Sequence, residues 1–310
     1  MQEKEISNYN IALAIGPDCT KQIHVMLYSV FYNNPHLLFT CYFLYFDLPN
    51  EELNFYKRIV AELGYKCVFL QFPQINIDRT EYRHVTNETF LRLLIPSALP
   101  KNVKRVLYLD YDVIVNGSLK EVFHYSFGQY SLLAAVANKN QNKLNAVKQA
   151  NGVPYGKKYF NAGVLVMDLD KLRENESFKK DYVLYFLEHH LKEIKEDDQG
   201  YLNHYLWNKT KIINYKYNYN AAIYYLDGHD AFSRIKSATE LIKAEKKAEE
   251  QAIIIHYRGA SKPWDQKYYG QCGKLYSYYA RKAGYSIKVS KQITYKMLKF
   301  MNIVSLIIKK

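Results

Sequence analysis

Four cysteines in 310 residues, none in C-x-x-C spacing, leave no basis for a zinc knuckle. Cys19, Cys41, Cys67 and Cys272 read instead as reduced, mostly buried thiols of a cytoplasmic protein. No run of 18 apolar residues exists, so no segment is expected to span a membrane. The opening Met-Gln-Glu-Lys-Glu-Ile-Ser has no apolar core of its own and does not read as a signal peptide. Internal repeats and low-complexity linkers are also missing, which favours one domain over residues 1–284 and a separate tail over 285–310. Within residues 286–310 there is no acid at all, against six lysines: Lys288, Lys291, Lys296, Lys299, Lys309 and Lys310.

The chain is 48% apolar and 24% charged, the balance of a folded protein long enough to bury a full core. Its 31 tyrosines follow most simply from codon bias toward Tyr, Lys, Asn and Ile, although a sugar-handling surface also uses a ring with a polar tip. A net charge of +13 calls for an anionic partner, and nearly half of the excess sits in the tail. There Ile293, Met297, Phe300, Val304 and Ile307 recur at helical spacing beside Lys291, Lys296, Lys299 and Lys310. The pattern is an imperfect basic amphipathic helix, suited to an anionic membrane surface; a helix docked on the core is the alternative. Nucleic acid binding would place basic clusters and aromatics inside the domain, so no nucleic-acid partner is expected.

Apolar runs and helical periodicities alternate through the first half: strands at 11–15, 37–46, 67–71 and 105–109, helices at 21–32, 50–63 and 89–99. Gly64 caps the second helix and Pro100 ends the third. Further strands are expected at 132–137, 163–168 and 252–256, and helices at 177–190, 199–206 and 275–283. Alternation of this kind predicts an α/β fold with a mostly parallel central sheet.

Four constellations carry possible chemistry. Val106-Leu107-Tyr108-Leu109 leads from a buried strand into Asp110-Tyr111-Asp112. Bare carboxylates there need compensation, and a divalent cation at a strand's carboxyl end supplies it. If the stretch stays strand-like, both carboxylates face one ion, with Mg²⁺ or Mn²⁺ the fitting metals; a surface turn is the alternative. Asn161-Ala162-Gly163 enters a second apolar strand, where small residues admit a ligand to the backbone and Asn161 can hold a hydroxyl, or where a simple turn precedes the strand. In Glu196-Asp197-Asp198-Gln199, one aspartate is explained as a helix N-cap, while a carboxylate beside the Gln199 carboxamide suits sugar hydroxyls. His256 ends an apolar strand before Tyr257-Arg258-Gly259-Ala260-Ser261-Lys262-Pro263-Trp264, a plausible phosphate loop. An imidazole ligand shifts preference toward Mn²⁺, Lys262 can neutralise phosphate, and a structural histidine is the alternative.

In this order and spacing the four pieces resemble glycosyltransferase family 8, over about residues 10–283, and among its members the retaining bacterial transferases that extend lipopolysaccharide or lipo-oligosaccharide. The motifs that carry the likeness are Val-Leu-Tyr-Leu-Asp-Tyr-Asp-Val, Tyr-Phe-Asn-Ala-Gly-Val-Leu, Asp-Gln, and His-Tyr-x-Gly-x-x-Lys-Pro-Trp. The resemblance implies a GT-A type α/β fold with Asp110, Asp112 and His256 on Mn²⁺, which bridges the diphosphate of a UDP-sugar. It implies phosphate contacts from Gly259 and Lys262, and donor-site roles for His84 and Arg92, Arg92 reaching the sugar. Asn161, Asp198 and Gln199 would hold the donor sugar, with Gln199 beside the reacting face of its anomeric carbon. Transfer of galactose or glucose to a cell-surface glycan or glycolipid would follow, by same-face attack or by double displacement through Gln199 or Asp198. The enzyme would sit peripherally on the inner face of the plasma membrane. A non-catalytic sugar-binding protein on the same fold is the rival, marked by loss of a metal ligand, and none is lost.

Two positions depart from the family. Where side chains that touch uracil and ribose are common, this chain has Gly16-Pro17-Asp18, which leaves Asp18 alone for a base-side contact. On the acceptor side, Asn138 stands where related chains often carry an acid.

Overall fold

A computed structural model describes residues 8–17, 19–75, 77, 86–137, 141–221, 246–247, 250–259, 261–265, 268 and 271–286. Asp18, His84, Asn138 and tail residues 287–310 lie outside the described residues. The alternation continues along the chain: β1 (Asn8–Ala14), α1 (Thr20–Asn33), β2 (Leu38–Tyr45), α2 (Asn50–Glu62), β3 (Lys66–Gln71), α3 (Leu91–Ala98) and β4 (Arg105–Leu109). Then follow β5 (Val113–Val115), α4 (Lys120–His124), β6 (Leu132–Val136), α5 (Gln141–Ala150), β7 (Phe160–Asp168), α6 (Leu169–Arg173), α7 (Lys180–His189) and α8 (Asp197–Leu206). The last described elements are β8 (Thr210–Ile212), β9 (Tyr219–Asn220), β10 (Ile254–His256) and α9 (Gly273–Lys282).

Gly64 ends α2 as its sequence position predicts. It adopts φ +76°, and the pair of bonds Gly64 N–H to Ala61 O and Tyr65 N–H to Val60 O closes a Schellman motif. The helix expected over 89–99 begins as a 3₁₀ turn, Asn87–Phe90, before α3.

The central sheet runs β3-β2-β1-β4-β7-β6-β8. All its neighbours pair in parallel except β4 with β7 and β6 with β7, so β7 alone is reversed. Side chains alternate between two buried faces, as an α/β sheet covered on both sides requires. Ile11, Leu13, Leu107, Leu109, Val164 and Val166 belong to the core on one face. Ala12, Val106, Tyr108, Leu165 and Met167 belong to the other, with residues of α3, α7 and α8.

The reversal of β7 sets up the site. Leu109 pairs with Val164, and the Asp110 N–H donates to Gly163 O at 2.9 Å. The first residues of β7 therefore lie against the carboxyl end of β4. Beyond β4 the chain turns into a separate three-stranded sheet, β5-β10-β9, in which His256 pairs with Val113, directly after Asp112. Of that second sheet only β10 was expected, within 252–256; β5 and β9, two or three residues long, carried no visible pattern.

Candidate active site

Asp110-Tyr111-Asp112 is a turn between two strands, not an extension of β4. The carboxylates converge because the turn re-enters β5, and not because they alternate along a continuous strand. One oxygen of Asp110, Oδ1, accepts from Arg92 Nη2 at 2.8 Å and from the Tyr108 hydroxyl at 2.7 Å. Its Oδ2 faces His256 Nε2 at 3.8 Å, and Asp112 Oδ1 lies 3.1 Å from the same nitrogen. Ligand atoms of Asp110, Asp112 and His256 all lie within 4.8 Å of one another. Burial opposes ionisation of Asp112, but the adjacent Lys262 and His256 outweigh it and hold the carboxyl well below the usual carboxylate range.

Two hard carboxylate oxygens and an imidazole nitrogen form a donor set that fits a divalent cation. Gly163 makes the convergence possible. A Cβ there would stand 2.1 Å from His256 Cε1 and 2.6 Å from Asp110 Oδ2, distances no side chain tolerates.

Behind the triad sits a buried arginine. Arg92 donates from Nη1 to Ala162 O at 2.8 Å, pairs through Nε with Asp198 Oδ2 at 3.1 Å, and stacks its guanidinium 4.6 Å from the Tyr108 ring centroid. Burial alone would weaken its charge, but Asp110 and Asp198 more than restore it. Burial pushes Asp198 up to about 6 against the pull of Arg92, and Asp110 and Asp197 add to the rise. Neither aspartate caps α8. The cap position is Glu196, its side chain makes no capping bond, and Asp198 turns inward to Arg92 and Thr89.

Glu196 and Asp197 adopt φ +69° and +50°, the left-handed region that non-glycine residues rarely enter, at a cost of about 1–3 kcal/mol each. The turn is held by Asn151, whose side chain donates to Lys195 O and accepts from Lys195 N, each at 2.8 Å. Gly200 fits only because it lacks a Cβ, which would lie 2.0 Å from Lys195 O.

This strained entry presents Gln199 to the start of β7. Gln199 Oε1 accepts from Asn161 Nδ2 at 2.7 Å and from the Ala162 N–H at 3.2 Å, while its Nε2 donates to Glu196 Oε2 at 2.6 Å. Asn161 Oδ1 accepts from the Gly163 N–H and from Asn218 Nδ2.

The loop after β10 closes the other side. Gly259 adopts φ +87°, a conformation that favours glycine. Lys262 Nζ donates to Asp112 Oδ2 at 2.5 Å and to Tyr257 O at 2.8 Å. Tyr111 and Trp264 bring their ring centroids to 6.0 Å at the edge of the triad. Asp110, Asp112 and Asp198 on one side and Arg92 and Lys262 on the other thus set three carboxylates against two cations around the His256 imidazole.

Of the residues singled out by sequence, Asp110, Asp112, His256, Lys262, Arg92, Asn161, Asp198 and Gln199 thus gather around the carboxyl end of β4. Asp18, His84 and Asn138 fall outside the described residues, and no role is read for them from the structure. Three participants had no sequence signal. Tyr108 looked like one more apolar strand residue. Asn218 lies in an unpatterned stretch. Glu88 packs against Gly16, its Cδ only 2.9 Å from where a Cβ would be, and so brings a carboxylate to the position where the sequence lacks a polar side chain.

Residues 10–268 match the family model for glycosyl transferase family 8. The chain is 25% identical over 259 residues to a lipopolysaccharide 1,2-glucosyltransferase of Escherichia coli K12, covering 82% of this chain and 72% of that protein. It is 24% identical over 272 residues to a lipopolysaccharide 1,3-galactosyltransferase of Salmonella typhimurium, covering 85% and 75%. Among solved structures, the galactosyltransferase LgtC in complex with donor and acceptor sugar analogs superposes with a TM-score of 0.68 at 22% identity, covering 88% of this chain and 95% of that one. That likeness is one of fold.

Proposed function

The chain belongs to glycosyl transferase family 8 and has the GT-A fold, and from that premise we propose that it moves galactose or glucose from a UDP-sugar to a cell-surface glycan such as lipopolysaccharide core, with retention of configuration. The observation that carries the proposal is the convergence of Asp110, Asp112 and His256 at the end of β4. Lipopolysaccharide glucosyl- and galactosyltransferases among its relatives support the choice of hexose and acceptor.

In this reading Asp110 Oδ2, Asp112 and His256 Nε2 hold a divalent cation, for which the nitrogen ligand favours Mn²⁺. When bound, that cation supplies Lewis-acid neutralisation of the departing diphosphate. Lys262 gives its charge to the same leaving group, with the Gly259 turn letting the loop backbone approach the phosphates. Arg92 holds Asp110 and Asp198 in place and, with Asn161 and Gln199, lines the sugar pocket. Glu88 offers a carboxylate to the ribose hydroxyls that Gly16 and Pro17 cannot reach.

Gln199 Oε1 already accepts two hydrogen bonds, so its lone pairs are engaged and it makes a weak nucleophile. Asp198 is paired to Arg92. Both facts favour same-face attack by the acceptor hydroxyl over double displacement. A non-catalytic role on the same fold fits less well, since all three ligand residues are retained.

Incubating the full chain with Mn²⁺ and a panel of UDP-galactose, UDP-glucose and UDP-N-acetyl sugars tests the donor. The expected result is UDP release from one of the two hexoses, with an α-configured product by NMR. A β-configured product, or turnover confined to the UDP-N-acetyl sugars, contradicts the proposal.

A further inference from the structure

The carboxamides behind the site form a continuous chain that ends on the imidazole. His256 Nδ1 lies 2.9 Å from Asn218 Oδ1, Asn218 Nδ2 lies 2.8 Å from Asn161 Oδ1, and Asn161 Nδ2 lies 2.7 Å from Gln199 Oε1. Gln199 Nε2 then meets Glu196. The polarity of such a chain depends on which end of each amide is oxygen, and here fixed groups decide it. The backbone N–H groups of Gly163 and Ala162 can only donate, so the atoms facing them must be Asn161 Oδ1 and Gln199 Oε1. The Glu196 carboxylate accepts, which requires Gln199 Nε2 on its side.

Asn218 must therefore turn its NH₂ toward Asn161 and its carbonyl toward His256. A carbonyl oxygen only accepts, so the facing Nδ1 must carry the proton. Nε2 is left as the ring nitrogen that points at Asp110 and Asp112. Asn218 and His256 are both buried, with 7% and 3% exposure, so water does not compete for these bonds.

We propose that Asn218 is a positioning residue that keeps Nδ1 of His256 protonated and so commits Nε2 to the cation, as the last link of an amide chain anchored on the β7 backbone and Glu196. The proposal rests on the reading of Asp110, Asp112 and His256 as a cation site. It also makes the metal ligand sensitive to the side chains placed around the donor sugar, because Asn161 and Gln199 belong to the same chain. Partners of this kind on ligating histidines are typically worth 10–100-fold in metal affinity.

The test uses full-length protein with ¹⁵N-labelled histidine. The His256 signals are identified by their loss in His256→Gln. Long-range ¹H–¹⁵N spectra of metal-free and Mg²⁺-loaded protein should both show Nδ1 protonated. Asn218→Asp keeps an acceptor on Nδ1 and should keep that signature, with Mn²⁺ affinity within a few-fold of wild type by EPR titration. Asn218→Leu should lose the Nδ1–H signature and bind Mn²⁺ roughly 10–100-fold more weakly, while its thermal melt shows that it still folds. A bare Nδ1 in the wild-type protein overturns the proposal, as does an unchanged Nδ1–H and Mn²⁺ affinity in Asn218→Leu. If the wild type binds no Mn²⁺ while Nδ1 is protonated, the cation reading fails and the amide chain stands.

Discussion

His256 and Asp110 meet over Gly163 because the strand passes beneath them without a side chain of its own. Replacing it with alanine forces His256 or the β7 backbone to move. Overpacking of this sort costs about 1–3 kcal/mol, and Gly163→Ala should bind Mn²⁺ at least ten-fold more weakly by EPR titration. Unchanged affinity would show that the triad is not built around that close approach. Asp198 is a second residue kept at the expense of stability. Its folded-state value of about 6 lies above the ordinary 3.8, so the folded protein binds more protons than the unfolded chain between those values. Stability contributed by the protonated form is therefore present below about pH 4 and lost as the pH rises through about 6. At 1.36 kcal/mol per pH unit, the loss is about 3 kcal/mol. Denaturant melts at pH 4 and pH 7 should show Asp198→Asn gaining on wild type by about that amount at the higher pH. A difference that does not change with pH would mean that Asp198 is not strained by its burial.

At the scale of elements, what could be read from the chain was set by length and pattern. Strands of five residues or more carry enough apolar periodicity to be seen, and β4 lies at residues 105–109 as expected. Asp110, Asp112 and His256 were each marked by an apolar strand running into a polar residue. The reversal of β7 was not legible, because a fully buried strand looks the same in either direction; yet it is what brings Asn161 and Gly163 to Asp110. Equally hidden was the left-handed entry of α8, since Glu196 and Asp197 are not residues that signal a positive φ. An acid before a helix suggested a cap, and tertiary pairing with Arg92 overrode it. That entry is fragile. Gly200→Ala should cost about 2 kcal/mol or more, by the logic of overpacking, and should raise the donor KM more than it lowers kcat if the 196–199 turn serves to place the sugar. A wild-type KM together with wild-type stability would remove the turn from the account.

At the scale of the whole molecule, part of the tyrosine abundance goes into the core of the described residues. Tyr56, Tyr108, Tyr159, Tyr201, Tyr217, Tyr257 and Tyr276 are fully buried, and Tyr111, beside the triad, is exposed. The four cysteines are free, three of them buried, in line with the reading of reduced thiols. No helix among the described residues is long and apolar enough to cross a membrane. The basic tail is proposed to supply the membrane contact, since it carries six lysines and no acid over residues 286–310. Removing those residues should leave turnover on a soluble acceptor within a few-fold of wild type. It should also lower co-sedimentation with anionic vesicles by roughly 1 kcal/mol for each basic residue lost near the surface. Vesicle binding that survives the truncation would refute the anchor.

The central claim is that Asp110, Asp112 and His256 hold the divalent cation on which sugar transfer depends. The most direct measurement is UDP release from the hexose donor by the full chain after EDTA treatment and after Mn²⁺ is restored, in wild type and in Asp110→Ala. The account predicts no turnover without metal and full recovery on Mn²⁺ addition for the wild type. Asp110→Ala should lose roughly 10²–10³-fold of turnover, the scale of removing one group that stabilises transition-state charge. Turnover that persists in the EDTA-treated wild type, or that survives undiminished in Asp110→Ala, would contradict it.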